Sequence, residues 1–291
     1  MTPIVAAAVL IAAITHARLE RDRAPHQGPP VFGHHIKDQL LSFTLISGGG
    51  ALIGLAAAAF VPFPAAGAWP YLITSAALHV AYMALLMRSF TLGDFGQMYP
   101  IARGTAPLVV TVLAAVFVGE VPDGWQTTGV VVACAGLVGV ALWGIRGSRP
   151  HWPALVAALA TGLSIAAYTV VDGVGVRASG SSLGYIAWLM ILEGLAIPAY
   201  TFYRRRSELL AQLRPLAARG LLGAALSVSA YALVLWAQTR APLAPVAALR
   251  ESSIIVGAAI GALFFKERFG APRIAAAGLM VIGIGLMLHA S

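Results

Sequence analysis

Residues 99–120 read YPIARGTAPLVVTVLAAVFVGE, and residues 246–267 read VAALRESSIIVGAAIGALFFKE. Aligned without a gap, they put Arg103 on Arg250 and Glu120 on Glu267. Each is an apolar run with one arginine near its start, closing on a glutamate before a short turn and a further Gly-containing apolar run. Small apolar residues match often by chance, but a matched arginine inside such a run together with a matched terminal glutamate does not. Upstream, Ala81-Tyr82 corresponds to Ala230-Tyr231, and Pro3 and Pro153 open the first run of each half. The chain therefore reads as two copies of one unit, 1–147 and 148–291.

The environment of these units follows from composition. Of 291 residues, 59% are hydrophobic and 10% charged, against roughly 25% charged in a soluble domain. So little charge cannot cover a surface facing water, and the outside of this chain must face lipid. Ten apolar runs are present, at 2–17, 40–61, 69–90, 98–118, 125–145, 152–174, 183–202, 221–239, 244–264 and 271–289. Most are long enough to cross about 30 Å of hydrocarbon at roughly 1.5 Å per residue. In lipid every backbone amide must be paired within its own segment, which predicts helices, and the alternation of a membrane barrel is absent. The expectation is an all-α, polytopic membrane protein of about ten transmembrane helices. The first run is the shortest and leads into a polar loop, 18–39.

Five runs per unit is an odd number, so the second unit is threaded in the opposite sense. Two inverted five-helix repeats are how many secondary transporters build alternating gates around one central site. The basic residues supply the orientation. The loops after the odd-numbered runs, with the run ends that border them, hold fifteen of the 19 Lys and Arg residues, the opposite side only Arg177 and Arg240. The positive-inside rule then predicts odd loops in the cytoplasm and both termini extracytoplasmic. The cluster Arg204-Arg205-Arg206 is the main anchor, and Trp69, Trp125 and Trp152 at run starts read as interfacial anchors.

Several classes are excluded. The net charge of +8 does not indicate nucleic acid, because the basic residues sort by loop instead of forming a patch. Cys134 is the only cysteine, so no internal disulfide forms, and no Cys/His spacing suggests a metal site. No cofactor motif is present. The N-terminus lacks the basic region and cleavage site of a secretory signal and reads as a membrane run. There is no nucleotide-binding GxxxxGK[ST] loop, no HExxH and no GxSxG, which argues against an enzyme.

Ionisable groups at membrane depth are expensive and therefore functional candidates. Arg103 and Arg250 lie before the middle of antiparallel helices, on opposite sides of the midplane, where two guanidinium groups suit a carboxylate or other anion. The alternative is that each is held in a structural or gating pair, with Glu251 or Glu193 as partner. Glu193, near the middle of the seventh run, is a candidate for proton coupling, since a carboxylate removed from water favours its neutral form; a salt bridge to arginine is the alternative. Polar residues recur on single helical faces: Thr161, Ser164, Tyr168 and Asp172; Ser227, Tyr231 and Gln238; Ser75, His79 and Tyr82. Such stripes face a bundle interior, either a wet cavity or a hydrogen-bonded core. Tyr82, Tyr231, Tyr168, Asp172, His79 and Ser253 join the two arginines as candidate solute-binding residues. Gly50 and Gly54, and Gly257 and Gly261, have the spacing of close helix contacts. Packing within one chain is the first reading, with monomer and homodimer both open.

Three stretches, YPIARGTAP at 99–107 with GE at 119–120, AAYTVVDGVGVR at 166–177, and ALRESS at 248–253 with KERFG at 266–270, resemble the drug/metabolite transporter superfamily, specifically EamA-type proteins with two EamA repeats. The resemblance runs from Leu40 to the C-terminus. It implies ten helices, a bacterial-type inner (plasma) membrane, and transport of small metabolites. It departs at His16-Ala17, where related proteins continue as helix and this chain continues Arg18-Leu19-Glu20-Arg21-Asp22. The expectation is a secondary transporter, an exporter of small metabolites such as amino acids or organic anions, working by alternating access. The alternatives are a non-transporting accessory subunit and a membrane-embedded enzyme acting on a lipid-linked substrate.

Overall fold

The computed structural model describes residues 34–93, 95–145, 151–206, 208–253 and 271–289. Among them the regular elements are all helical: α1 His34–Ala58, α2 Trp69–Leu92, α3 Phe95–Leu113 with a wider turn over Ala114–Val118, α4 Gly124–Ile145, α5 Trp152–Ala178, α6 Ser182–Gly194, α7 Ala196–Arg205, α8 Glu208–Leu213, α9 Ala217–Gln238, α10 Leu243–Arg250 and α11 Ala271–His289. Six stretches of the described residues are long and apolar enough to cross a membrane: Leu40–Ala58, Ala66–Leu92, Met98–Val118, Trp152–Ala178, Ser182–Arg205 and Leu209–Gln238. Gly124–Gly139 and Ala275–Met287 are shorter apolar helices. The chain is thus an all-α, multi-pass membrane protein. The first run, residues 18–33 of the expected polar loop and the pair Gly257 and Gly261 lie outside the described residues; residues 34–39, expected as loop, already belong to helix α1.

Local sequence explains where helices start and stop. Proline occupies the first turn of α2 and of α5, where its missing N–H costs nothing. The Ser181 side chain caps α6 by accepting from the Gly184 N–H at 3.1 Å, and Asp123 does the same for α4 through the Gln126 N–H at 2.8 Å. Gly119 ends the wide turn after α3 with φ of 75°, a left-handed conformation that glycine adopts without a Cβ clash.

Three runs are less regular than the composition predicts. Pro107 and Pro100 lie inside α3. Pro107 has no N–H to give to the carbonyl of Arg103, four residues earlier, so the ladder is interrupted at the arginine. The seventh run divides at Leu195 into α6 and α7, because Pro198 likewise cannot donate to Gly194. The regular helix of the ninth run is interrupted after Arg250, over Glu251 and Ser252, and Ser253 is helical again. There the N–H groups of Glu251 and Ser252 turn to the carbonyls of Ala248 and Leu249, at 3.1 Å each, a tighter three-residue turn.

Packing follows small residues. α5 is the central helix and packs on α2 and α3; α1 packs on α6 and α9, α4 on α3 and α11, and α10 on α3. Lipid tails are as apolar as leucine, so helices in a bilayer associate mainly by close van der Waals fit. Gly54 illustrates this: a Cβ there would lie 2.6 Å from the Ala187 carbonyl oxygen of α6, so this glycine pairs helices within the chain. Gly162 on α5 sits equally close to the Ala102 carbonyl oxygen of α3, at 2.7 Å from such a Cβ. Large apolar side chains such as Leu55, Phe117, Val131, Leu163 and Ile282 remain exposed, as a lipid-facing surface requires. Trp125 and Trp152 are exposed at the starts of α4 and α5.

Candidate functional site

A cavity of about 100 Å³ opens where α2, α3, α5, α6, α9 and α10 meet. By that measure a water molecule occupies roughly 10–15 Å³, so the space suits several waters or the polar part of a small solute. His79, Tyr82, Arg103, Tyr168, Glu193, Ser227, Tyr231 and Arg250 line it, with Met83, Met190, Ala230 and Val234 as the apolar wall. Most of the candidates named from sequence therefore converge on one space.

The cationic wall comes from α3 and α10. Arg103 Nε lies 2.8 Å from Glu251 Oε2, and Arg250 Nε lies 3.4 Å from Glu251 Oε1. Arg103 also donates to Ser253 Oγ through Nη2 at 3.4 Å, and its guanidinium lies over the Tyr99 ring at 5.6 Å. Arg103, Arg250 and Glu251 are all buried, at 3%, 6% and 1% exposure. Residues 250–253 are all buried, as is every residue of α10 before them, so this segment runs through the interior of the bundle. Of the two pairings expected, the carboxylate that both arginines reach is Glu251. One carboxylate shared by two guanidinium groups leaves one positive charge in excess. Among the described residues, buried Arg250 Nη2 meets no hydrogen-bond partner, and Arg250 lines the cavity.

The second polar wall comes from α2 and α6. His79 Nδ1 lies 3.0 Å from the Ser75 carbonyl oxygen, 3.1 Å from Ser75 Oγ and 3.4 Å from Glu193 Oε2. A carbonyl only accepts, so the hydrogen bond to it assigns the proton to Nδ1. The His79 ring stacks on Tyr168 with centroids 3.9 Å apart, and Tyr82 and Tyr231 present their edges to this pair. Stacked and edge-on rings of this kind form a rigid, amphipathic wall.

Asp172 is fully buried behind that wall. It accepts from the Tyr185 hydroxyl at 2.8 Å and from the Tyr231 hydroxyl. It holds the orientation of Tyr231, which lines the cavity, and Ser253 likewise stands behind Arg103. The polar stripes read from the sequence all turn inward: Thr161, Ser164, Tyr168 and Asp172 are buried, as are Ser75, His79 and Gln238. Met83, Met190, Ala230 and Val234 were not legible as site residues, because an apolar side chain inside a membrane helix carries no signal of which neighbour it faces. Arg177 was legible only as a loop charge. Its guanidinium contacts Glu120 at 2.5 Å and the carbonyls of Gln238 and Ala241 at 2.8 and 3.0 Å. The one hint was its place at the end of the AAYTVVDGVGVR stretch.

Residues 152–289 match the model of the EamA-like transporter family, a span that contains Tyr168, Asp172, Glu193, Tyr231, Arg250 and Glu251. No curated protein matches the chain. Among solved structures, the crystal structure of a protein 16% identical in sequence superposes with a TM-score of 0.67, covering 99% of this chain and 97% of that one. At that identity the likeness establishes the fold. Through its second half, residues 152–289, this multi-pass membrane chain is similar to the EamA-like transporter family.

Proposed function

We propose that the chain is a secondary carrier that exports small metabolites bearing an anionic group, such as amino acids or organic anions, by alternating access. The observation that carries this reading is the triad of Arg103, Glu251 and Arg250. Both of its arginines line a central cavity, the three side chains hold an excess positive charge, and one buried guanidinium nitrogen of Arg250 has no hydrogen-bond partner among the described residues. A carboxylate entering the cavity would take that donor and neutralise the excess charge. Glu193 beside His79 is the group whose protonation would couple transport to a proton gradient.

The packing supports two inverted five-helix repeats, 1–147 and 148–291. If the halves are related by a two-fold axis in the membrane plane, equivalent runs lie against each other near that axis. The second run packs on the seventh, the fourth on the ninth and the fifth on the tenth, which supports such an axis. The orientation follows the basic residues, with both termini extracytoplasmic.

The test is a thermal-shift screen of the purified protein with amino acids, organic acids, nucleosides and cationic drugs, followed by counterflow of the best binder in proteoliposomes. Carboxylates should stabilise the protein, and Arg250→Gln should remove the shift. Stabilisation by cations alone would end the anion reading, and binding without counterflow would favour an accessory subunit.

A further inference from the structure

The strongest polar junction outside the cavity among the described residues is at one end of the bundle, where four helix ends meet. Arg177, in the last turn of α5, uses three nitrogens on three partners. Nη1 contacts Glu120 Oε1 at 2.5 Å, Nε donates to the Gln238 carbonyl at 2.8 Å, and Nη2 donates to the Ala241 carbonyl at 3.0 Å. Glu120 Oε2 accepts from the Leu243 N–H at 2.7 Å. Gln238 ends α9 and Leu243 begins α10. The guanidinium therefore sits on the negative end of one helix and the carboxylate on the positive end of the next, each where the helix dipole favours it. Glu120 reaches this position because Gly119 turns the chain back with φ of 75°.

The junction lies beyond the cavity along three helices. Tyr231 precedes Gln238 by seven residues, Arg250 follows Leu243 by seven, and Tyr168 precedes Arg177 by nine. At about 1.5 Å per residue the junction stands roughly 10–14 Å from Tyr231, Arg250 and Tyr168. Arg177 and Glu120 keep 31% and 21% of their side chains exposed, so water reaches the pair from its own side.

We propose that Glu120 and Arg177 form a latch that closes this end of the cavity, and that its opening admits water and solute from that side. Glu120 comes from the first half of the chain and its partners from the second, so any separation of the halves at this end must break the pair. This rests on the carrier reading for its purpose, but its test needs no transport.

A single reporter cysteine, Val234→Cys, is placed in full-length Cys134→Ala protein. Val234 lines the cavity one turn before Gln238. Its labelling by a membrane-impermeant methanethiosulfonate is timed on intact cells and on inverted vesicles. Glu120→Gln keeps an acceptor for the Leu243 N–H but removes the charge; Arg177→Lys keeps the charge but cannot reach three partners. Each should speed labelling roughly tenfold from one membrane face only, the shift expected for loss of one charge-assisted hydrogen bond. Unchanged rates in both variants would overturn the latch, as would equal acceleration from both faces. If either variant fails to insert, a Glu120→Cys, Arg177→Cys pair cross-linked by a short bifunctional reagent should slow labelling, and no slowing would overturn it too. A latch that behaves as expected in a protein that carries no solute would refute the carrier reading alone.

Discussion

Gly129 of α4 and Gly283 of α11 stand back to back: a Cβ on either would lie 2.5 Å from the other's carbonyl oxygen. Ala133 and Met287 close the contact on both sides, and Gly136 repeats it against the Ala276 carbonyl at 2.8 Å. The fifth and tenth runs are thus joined backbone to backbone, with no room for a side chain between them.

This contact makes the first prediction. Gly129→Leu or Gly283→Leu should destabilise the protein by about 1–3 kcal/mol, the cost of overpacking a tight interface. Thermal unfolding in detergent would measure it. Gly139 and Gly278 have open space at their Cβ positions, and Ala at either should leave the midpoint unchanged. Equal midpoints for all four variants would show that α4 and α11 do not pack this way.

The triad gives a second. Glu251→Gln strips the charge from a carboxylate serving two buried guanidinium groups, and leaving buried charges uncompensated costs roughly 3–5 kcal/mol. Arg250→Gln leaves Glu251 with Arg103 and should cost much less. Both should abolish transport. Unfolding midpoints separate the two, and an Arg250→Gln protein less stable than Glu251→Gln would contradict the shared-carboxylate geometry.

Asp172 supplies a third. Tyr185→Phe and Tyr231→Phe each remove one hydrogen bond to this buried carboxylate, worth about 1.5–3 kcal/mol where the acceptor is charged. Because Tyr231 also lines the cavity, Tyr231→Phe should weaken solute binding as well, while Tyr185→Phe should change stability alone. Calorimetric binding of the best solute from the thermal-shift screen, run beside unfolding, distinguishes them.

Sidedness is the fourth. Arg204→Cys in Cys134→Ala protein should react with an impermeant thiol reagent in inverted vesicles and not in intact cells, since Arg204 is exposed at the end of α7 in the most basic loop. Reaction on intact cells would reverse the threading.

How far these features were legible before the structure depended on the kind of signal. Lipid exposure, helicity and the polar faces of α2, α5 and α9 follow from composition and from the 3.6-residue period, so Thr161, Ser164, Tyr168 and Asp172 could be assigned to the interior from spacing alone. Arg103, Arg250 and Glu193 stood out because charge within an apolar run needs a reason. What spacing cannot supply is the partner. Glu251 was one of two carboxylates open to the arginines, and it reaches both because the backbone tightens after Arg250, a local departure no periodicity encodes. Pro198 marks where the seventh run divides, but membrane helices tolerate proline, so the residue alone does not locate a break. Beyond its place at the end of residues 166–177, Arg177 gave no hint of its three-way contact, as two of its partners are backbone carbonyls.

The turn after Arg250 makes the two arginines unequal. Arg250 and Glu251 are neighbours in the chain, so this cation carries its counter-ion with it wherever the segment goes. Arg103 belongs to α3 and holds Glu251 only across an interface. Any slide of residues 243–253 against α3 lengthens the Arg103 contact while sparing the other. The same carboxylate is thus a fixed neutraliser for one guanidinium and a detachable one for its counterpart, and Arg103 is the charge that such a slide uncovers.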